Sequence, residues 1–232
     1  LWQRSADEGG ENTASVSYVP IPFAKSCVVT LTQPSFYILG YKTFSPDTEV
    51  VLMTAYGTVD ELNATVGMAR LVAEGGADMV KLEGGQDKAD IVRHLVDHDI
   101  PVCGHIGLLP QSIEELGGYH VQGRDEAGAR ALLADAQALE AAGATLLVME
   151  CIPAELAALI TASVQMPTIG IGAGPDCDGQ VLVLYDMLGI TPGKVPKFVC
   201  NFLQDTDSVP GAVKAYVDAV KNGSFPAPEH CF

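Results

Sequence analysis

A chain of 232 residues, 48% hydrophobic and 18% charged, can bury a sizeable core in one large α/β domain or two small ones. Thirteen Lys and Arg against 29 Asp and Glu give a net charge of −16 and an isoelectric point near 4.5. That balance excludes the basic footprint of a nucleic-acid binder and disfavours an anionic membrane surface.

A mean hydropathy of +0.23 with 24 Gly argues against an acidic disordered chain. The six cysteines (Cys27, Cys103, Cys151, Cys177, Cys200 and Cys231) show no C-x-x-C and no ladder of short spacings. They read as reduced thiols of a cytoplasmic protein. No apolar run approaches a membrane span, and Leu1–Arg4 leads into polar sequence without a leader pattern. Composition also shifts along the chain. Residues 1–49 hold three Ala and a charge of −2, whereas residues 50–232 hold 24 Ala and −14.

From residue 50 onward, strand and helix patterns alternate. Val50–Met53 is a short apolar run, and Val59–Glu74 follows with Leu62, Val66, Ala69 and Ala73 on one helical face. Asp78–Leu82 predicts the next strand, closed by Gly84-Gly85, with Asp87–His98 as its helix. Ile100–Ile106 is a third strand, opened by Pro101. A Gly-rich loop (Gly117–Gly123) precedes an Ala-rich helix over Glu126–Ala142, with Gly143 placed as its cap. Thr145–Met149 is a fourth strand and Pro153–Ser163 a helix with Pro at its start. Thr168–Ile171 is a fifth strand. Gly179–Leu188 is expected as helix, Lys197–Cys200 as a sixth strand, and Val209–Asn222 as a last helix.

Near-continuous apolar strands alternating with amphipathic helices mean a parallel sheet covered by helices. Six such strands fall two short of a (β/α)₈ barrel, and Cys27–Leu31 and Ser35–Gly40 are the candidates for the missing pair. An open doubly wound sheet competes. The barrel is favoured because chemistry-capable residues recur at the carboxyl ends of several strands.

Those residues are few. Lys81 and Glu83, two apart on a strand, share a face, and Gly84-Gly85 directly after them permits close backbone approach by a ligand. A solvated salt bridge at a strand end would look the same. Glu150 ends the apolar strand Thr145–Met149 and is a candidate general base, or a plain rim carboxylate. His105, near the end of the third strand, reads more readily as a hydrogen-bonded orienting residue than as a metal ligand. Gly170–Gly174 lacks the spacing of a dinucleotide fingerprint and reads as a tight strand-end loop. These residues alone describe an acidic barrel enzyme that handles a small anionic substrate with carboxylates and a lysine.

Several stretches together resemble the ketopantoate hydroxymethyltransferase family. They are Gly76–Gly85, Pro101–Ser112, Gly117–Arg124, Ala138–Pro153, Ile169–Gly174 with Asp178–Val183, and Lys197–Phe202. The resemblance implies a (β/α)₈ barrel of the phosphoenolpyruvate mutase-like group over residues 50–232. It also implies hydroxymethyl transfer from 5,10-methylenetetrahydrofolate to 3-methyl-2-oxobutanoate with Mg²⁺, in a homo-oligomer without nucleic-acid or membrane partners. Lys81 matches the family's keto-acid-binding lysine, Glu83 its magnesium carboxylate and Glu150 its proton acceptor. His105 matches a strand-end histidine expected to line the substrate pocket.

Residues 1–49 depart from the family's start. The Gly-Asp-Ser of its second strand occurs nowhere in the chain, and Val50–Tyr56 lacks the Asp-Leu-Pro-Phe of its third. Residues 1–49 therefore read as an atypical segment with altered first strands. Two other activities stay open beside the transferase: a catalytically impaired subunit that only assembles, and another carbon–carbon bond enzyme of the same group.

Overall fold

The computed structural model describes residues 52–54, 77–109 and 120–232. The expected helix over 59–74, the strand candidates within 27–40 and most of the Gly-rich loop lie outside the described residues, as does the atypical segment 1–49. The chain divides into two compact units, Leu1–Lys81 and Leu82–Phe232, with the boundary inside a strand. In the first unit, β1 (Leu52–Thr54) pairs in parallel with the opening of β2 (Met79–Glu83), aligning Leu52 with Met79 and Thr54 with Lys81.

The second unit carries the strand–helix alternation. A 3₁₀ turn at Gln86–Lys88 leads into α1 (Ala89–Val96), then β3 (Val102–Gly107), α2 (Glu126–Ala141), β4 (Leu146–Glu150), α3 (Ala154–Ser163) and β5 (Thr168–Ile171). A two-residue β6 (Gly179–Gln180), α4 (Leu184–Met187) and α5 (Val209–Lys221) complete it. β3 pairs with β4, β4 with β5 and β5 with β6, all in parallel. A doubly wound sheet reverses its strand order at a switch point, whereas a (β/α) barrel sets each strand beside its successor. The observed order is the barrel's, and the fold class is the expected α/β one.

Local chemistry explains the helices. Asp125 caps α2 by accepting the Gly128 N–H at 2.8 Å, and Glu126 pairs with Arg130 one turn on. Its other end closes with Gly143 at φ +97°, while the Gly143 and Ala144 N–H groups donate to the carbonyls of Glu140 and Leu139. These two bonds satisfy carbonyls that the helix leaves open, as Gly143 at the predicted helix end requires. In α1 the spacing of Ile91, Val92 and Leu95 buries one face, and in α3 Leu156, Ala157 and Ile160 do the same. Ser208 caps α5, whose Tyr216 meets Phe202 and Phe225 edge-on at 5.4 and 5.9 Å between ring centres.

Two expected elements are corrected. Gly179–Leu188 is not one helix, because Gly179 and Gln180 extend beside Ile169 and Gly170 and the Val181 N–H donates to the Gly170 carbonyl. The backbone at the start of that apolar run is taken by the sheet, and helix forms only over Leu184–Met187. Lys197–Cys200 is a turn rather than a strand, with the Val199 N–H donating to Pro196. Its apolar Phe198 is buried against Gly172, where a Cβ would stand 2.7 Å from the ring. The hydrophobicity there serves a plug, which has the same composition as a short buried strand.

Candidate active site

Two faces of β4 differ in what they meet. Leu147 and Met149 are fully buried, and a Cβ at Gly104 on β3 would stand 2.9 Å from Leu139 of α2 and 3.3 Å from Leu147. The opposite row, Leu146, Val148 and Glu150, is more open, and Glu150 ends it. On β3 the matching row is Cys103, His105 and Gly107, since His105 aligns with Val148 and Gly107 with Glu150. This register sets the His105 ring and the Glu150 carboxyl diagonally across the pair.

They do meet. His105 Nε2 lies 3.1 Å from Glu150 Oε2, and His105 Nδ1 lies 3.5 Å from Glu83 Oε1. The side chains are 2% exposed for His105, 5% for Glu83 and 12% for Glu150. Three residues from three strands thus form one buried carboxyl–imidazole–carboxyl array, with Glu150 its most open member. Glu83 reaches His105 because the Gly84 N–H donates to the His105 carbonyl at 3.1 Å, tying the end of β2 to β3. Lys81, buried, lies two residues before Glu83 on β2 and closes the first unit.

The backbone around Glu150 is held from both sides. Its carbonyl accepts the Leu108 N–H at 2.8 Å, and the next N–H, of Cys151, donates to Ile171. Gly107 has φ +95°, and a Cβ there would stand 2.1 Å from the Glu150 carbonyl oxygen, so only glycine fits. Cys151 adopts φ +50°, a left-handed conformation unusual for a side-chain-bearing residue and costly where it occurs. It turns the chain sharply after Glu150, and its carbonyl accepts the Gln122 N–H, bringing loop residues 120–123 to this strand end. The Gly170–Gly174 stretch is the expected tight loop. Gly172 and Gly174 have positive φ, and Gly174 packs where a Cβ would meet Ala154 at 2.5 Å.

Sequence reading singled out Lys81 with Glu83 as a pair on one strand face, and His105 and Glu150 separately. It missed that His105 joins the two carboxylates, and it missed Gly107 and Cys151 as the backbone supports of Glu150. A glycine ending an apolar strand was the available signal for Gly107; nothing in the sequence marks Cys151.

The chemistry open to the site is acid–base rather than thiolate chemistry. Burial, with Glu150 alongside, pushes the Cys151 thiol up to about 12, and burial does the same for Cys177. Both stay protonated near neutral pH, and thiols in that state are poor nucleophiles. Glu83 offers hard oxygens of the kind a divalent cation such as Mg²⁺ takes, and Mg²⁺ is commonly held by one or two carboxylates with water and substrate oxygens. Among the described residues no group of three or more His, Cys, Asp or Glu gathers as a metal site. Among the described residues no helix is long and apolar enough to cross a membrane.

Comparison with known proteins covers nearly the whole chain. The ketopantoate hydroxymethyltransferase family model matches residues 45–228, and the model of the GH172 first β-sandwich domain matches residues 1–56. The 3-methyl-2-oxobutanoate hydroxymethyltransferase of Alkalilimnicola ehrlichii is 47% identical over 225 residues, 97% of this chain and 77% of its own. Its counterpart in Paraburkholderia phymatum is 50% identical over 225 residues, 97% of this chain and 78% of that one. The Thiobacillus denitrificans protein of the same name is 49% identical over 227 residues, covering 97% and 81%.

Proposed function

This chain belongs to the ketopantoate hydroxymethyltransferase family, and on that premise we propose that it transfers a hydroxymethyl group from 5,10-methylenetetrahydrofolate to 3-methyl-2-oxobutanoate. The observation that carries the proposal is the Glu83–His105–Glu150 array at the carboxyl ends of adjacent strands, where barrel enzymes keep their chemistry.

In this reading Glu150 is the base. Its carboxylate, at the open end of the array, takes the proton from C3 of the keto acid. The C3–H bond breaks, the proton goes to Glu150, and the electron pair left on C3 attacks the methylene carbon carried by the folate. Water opens the methylene bridge beforehand, adding its hydroxyl to that carbon and its proton to one folate nitrogen; the second nitrogen leaves with its electron pair as the bond to C3 forms and takes up the proton held by Glu150. Lys81 holds the anionic keto acid. Glu83 would be a ligand of Mg²⁺, which when bound supplies Lewis-acid polarisation of the keto oxygen. A positioned general base contributes about 10²–10⁴-fold, so charge stabilisation around the substrate must provide much of the remaining acceleration.

The test incubates the intact protein with 3-methyl-2-oxobutanoate, 5,10-methylenetetrahydrofolate and Mg²⁺ and follows 2-dehydropantoate by mass spectrometry. Folate-dependent product is expected. C3-proton exchange without folate-dependent product would point instead to another carbon–carbon bond enzyme of the wider group. The absence from the sequence of Gly-Asp-Ser and Asp-Leu-Pro-Phe favours a second reading, a subunit that assembles without turnover. Oligomers by light scattering, with neither exchange nor product at saturating Mg²⁺, would select it.

A further inference from the structure

The histidine at the centre of the array is placed unlike a substrate ligand. Its ring is 2% exposed, and each ring nitrogen already faces a carboxyl oxygen, Glu83 Oε1 at 3.5 Å and Glu150 Oε2 at 3.1 Å. The main chain on both sides of the ring is also fixed. The His105 carbonyl is held by the Gly84 N–H and the Glu150 carbonyl by the Leu108 N–H. The flat ring is therefore a spacer of set length between two anchored strand ends.

We propose that His105 is the positioning residue of the Glu150 base. It sets the Glu150 carboxyl from one edge, takes its own orientation from Glu83, and makes no contact with substrate. This deepens the function proposed above and rests on it. A glutamate carboxyl swings on three side-chain torsions, and at 12% exposure nothing in solvent would hold it in one orientation. The His105 contact is made to Oε2, and the Glu150 side chain is the most exposed of the three. Proton abstraction needs the acceptor oxygen within hydrogen-bond reach of the C–H, and a displacement of about 1 Å can cost on the order of 10²-fold in rate. A positioning residue therefore appears in kcat, and a substrate ligand in KM.

The test measures exchange of the C3 proton of 3-methyl-2-oxobutanoate in D₂O for the wild type, His105→Ala, His105→Gln and His105→Asn. For His105→Ala, kcat for exchange is expected to fall about 10–100-fold, with KM for the keto acid within about twofold of wild type. His105→Gln places an amide nitrogen at the reach of Nε2 and recovers more of the rate than His105→Asn, whose amide reaches only as far as Nδ1. A KM that rises while kcat holds would overturn the proposal, as would equal rates for the Gln and Asn variants. A second readout needs no turnover. In protein labelled with ¹⁵N-histidine, the ring signals absent from His105→Gln are assigned to His105, and Glu150→Gln is expected to move them. Unmoved signals overturn the proposal even if His105→Ala fails to fold. A wild type that exchanges no proton defeats the function proposed above, whereas the ¹⁵N shift decides the His105–Glu150 coupling on its own.

Discussion

The two faces of β4 share one backbone and serve different ends. Leu147 and Met149 point into a dry layer, beside Gly104 and Leu139 of α2. Leu146, Val148 and Glu150 point the other way, along the row that ends in the carboxyl–imidazole–carboxyl array. Alternation of side chains with a period of two is what separates them. One row supplies buried apolar area and hence stability; the other can carry a buried ionisable cluster because its neighbour secures the strand. The comparison teaches that stability and chemistry should respond to different substitutions one residue apart.

The largest effect is expected on the open face. Glu150→Gln should lower C3-proton exchange by about 10²–10⁴-fold, the usual worth of a positioned base, while the thermal midpoint stays within a few degrees of wild type. A large loss of stability with that change would show that the two faces are not separable. Next comes the dry face. Leu147→Ala should cost about 2–5 kcal/mol in urea unfolding, through lost burial and the cavity left behind, with kcat per folded molecule unchanged. A kcat that falls in the folded protein would break the division from the other side.

Gly107→Ala sits on the seam and should move both readouts. The left-handed backbone at this position costs a non-glycine residue about 1–2 kcal/mol, and the contact with the Glu150 carbonyl oxygen adds to it. Exchange should fall together with the urea midpoint, because the strand end that bears the proposed base, Glu150, has to shift. Full activity in this variant would mean that Glu150 is not held through that carbonyl. The smallest effect belongs to a residue remote from both faces. Asp125→Ala removes the cap of α2 and should cost about 1 kcal/mol in urea unfolding, with exchange intact.

Much of this was legible because it is local. Alternating apolar strands, Asp125 before α2, Gly143 after it and Pro153 before α3 are short-range signals, and each element forms where its own residues favour it. Glu150 stood out because it is a carboxylate ending a five-residue apolar strand, where a general base and a plain rim carboxylate read alike. The two corrected segments show where local reading stops. Gly179–Leu188 and Lys197–Cys200 have the hydrophobicity of a helix and a strand, but pairing with β5 claims the first and the pocket at Gly172 claims the second.

By itself, then, the sequence determined a parallel α/β chain with Lys81, Glu83, His105 and Glu150 near strand ends, and carried the family relationship. Only the tertiary structure decided that Glu83, His105 and Glu150, distant along the chain, form one contact. The reason is register: which residue of β3 lies beside which of β4 depends on the whole ladder. No window of sequence contains that information, because the atoms that determine it come together only when the strands pair.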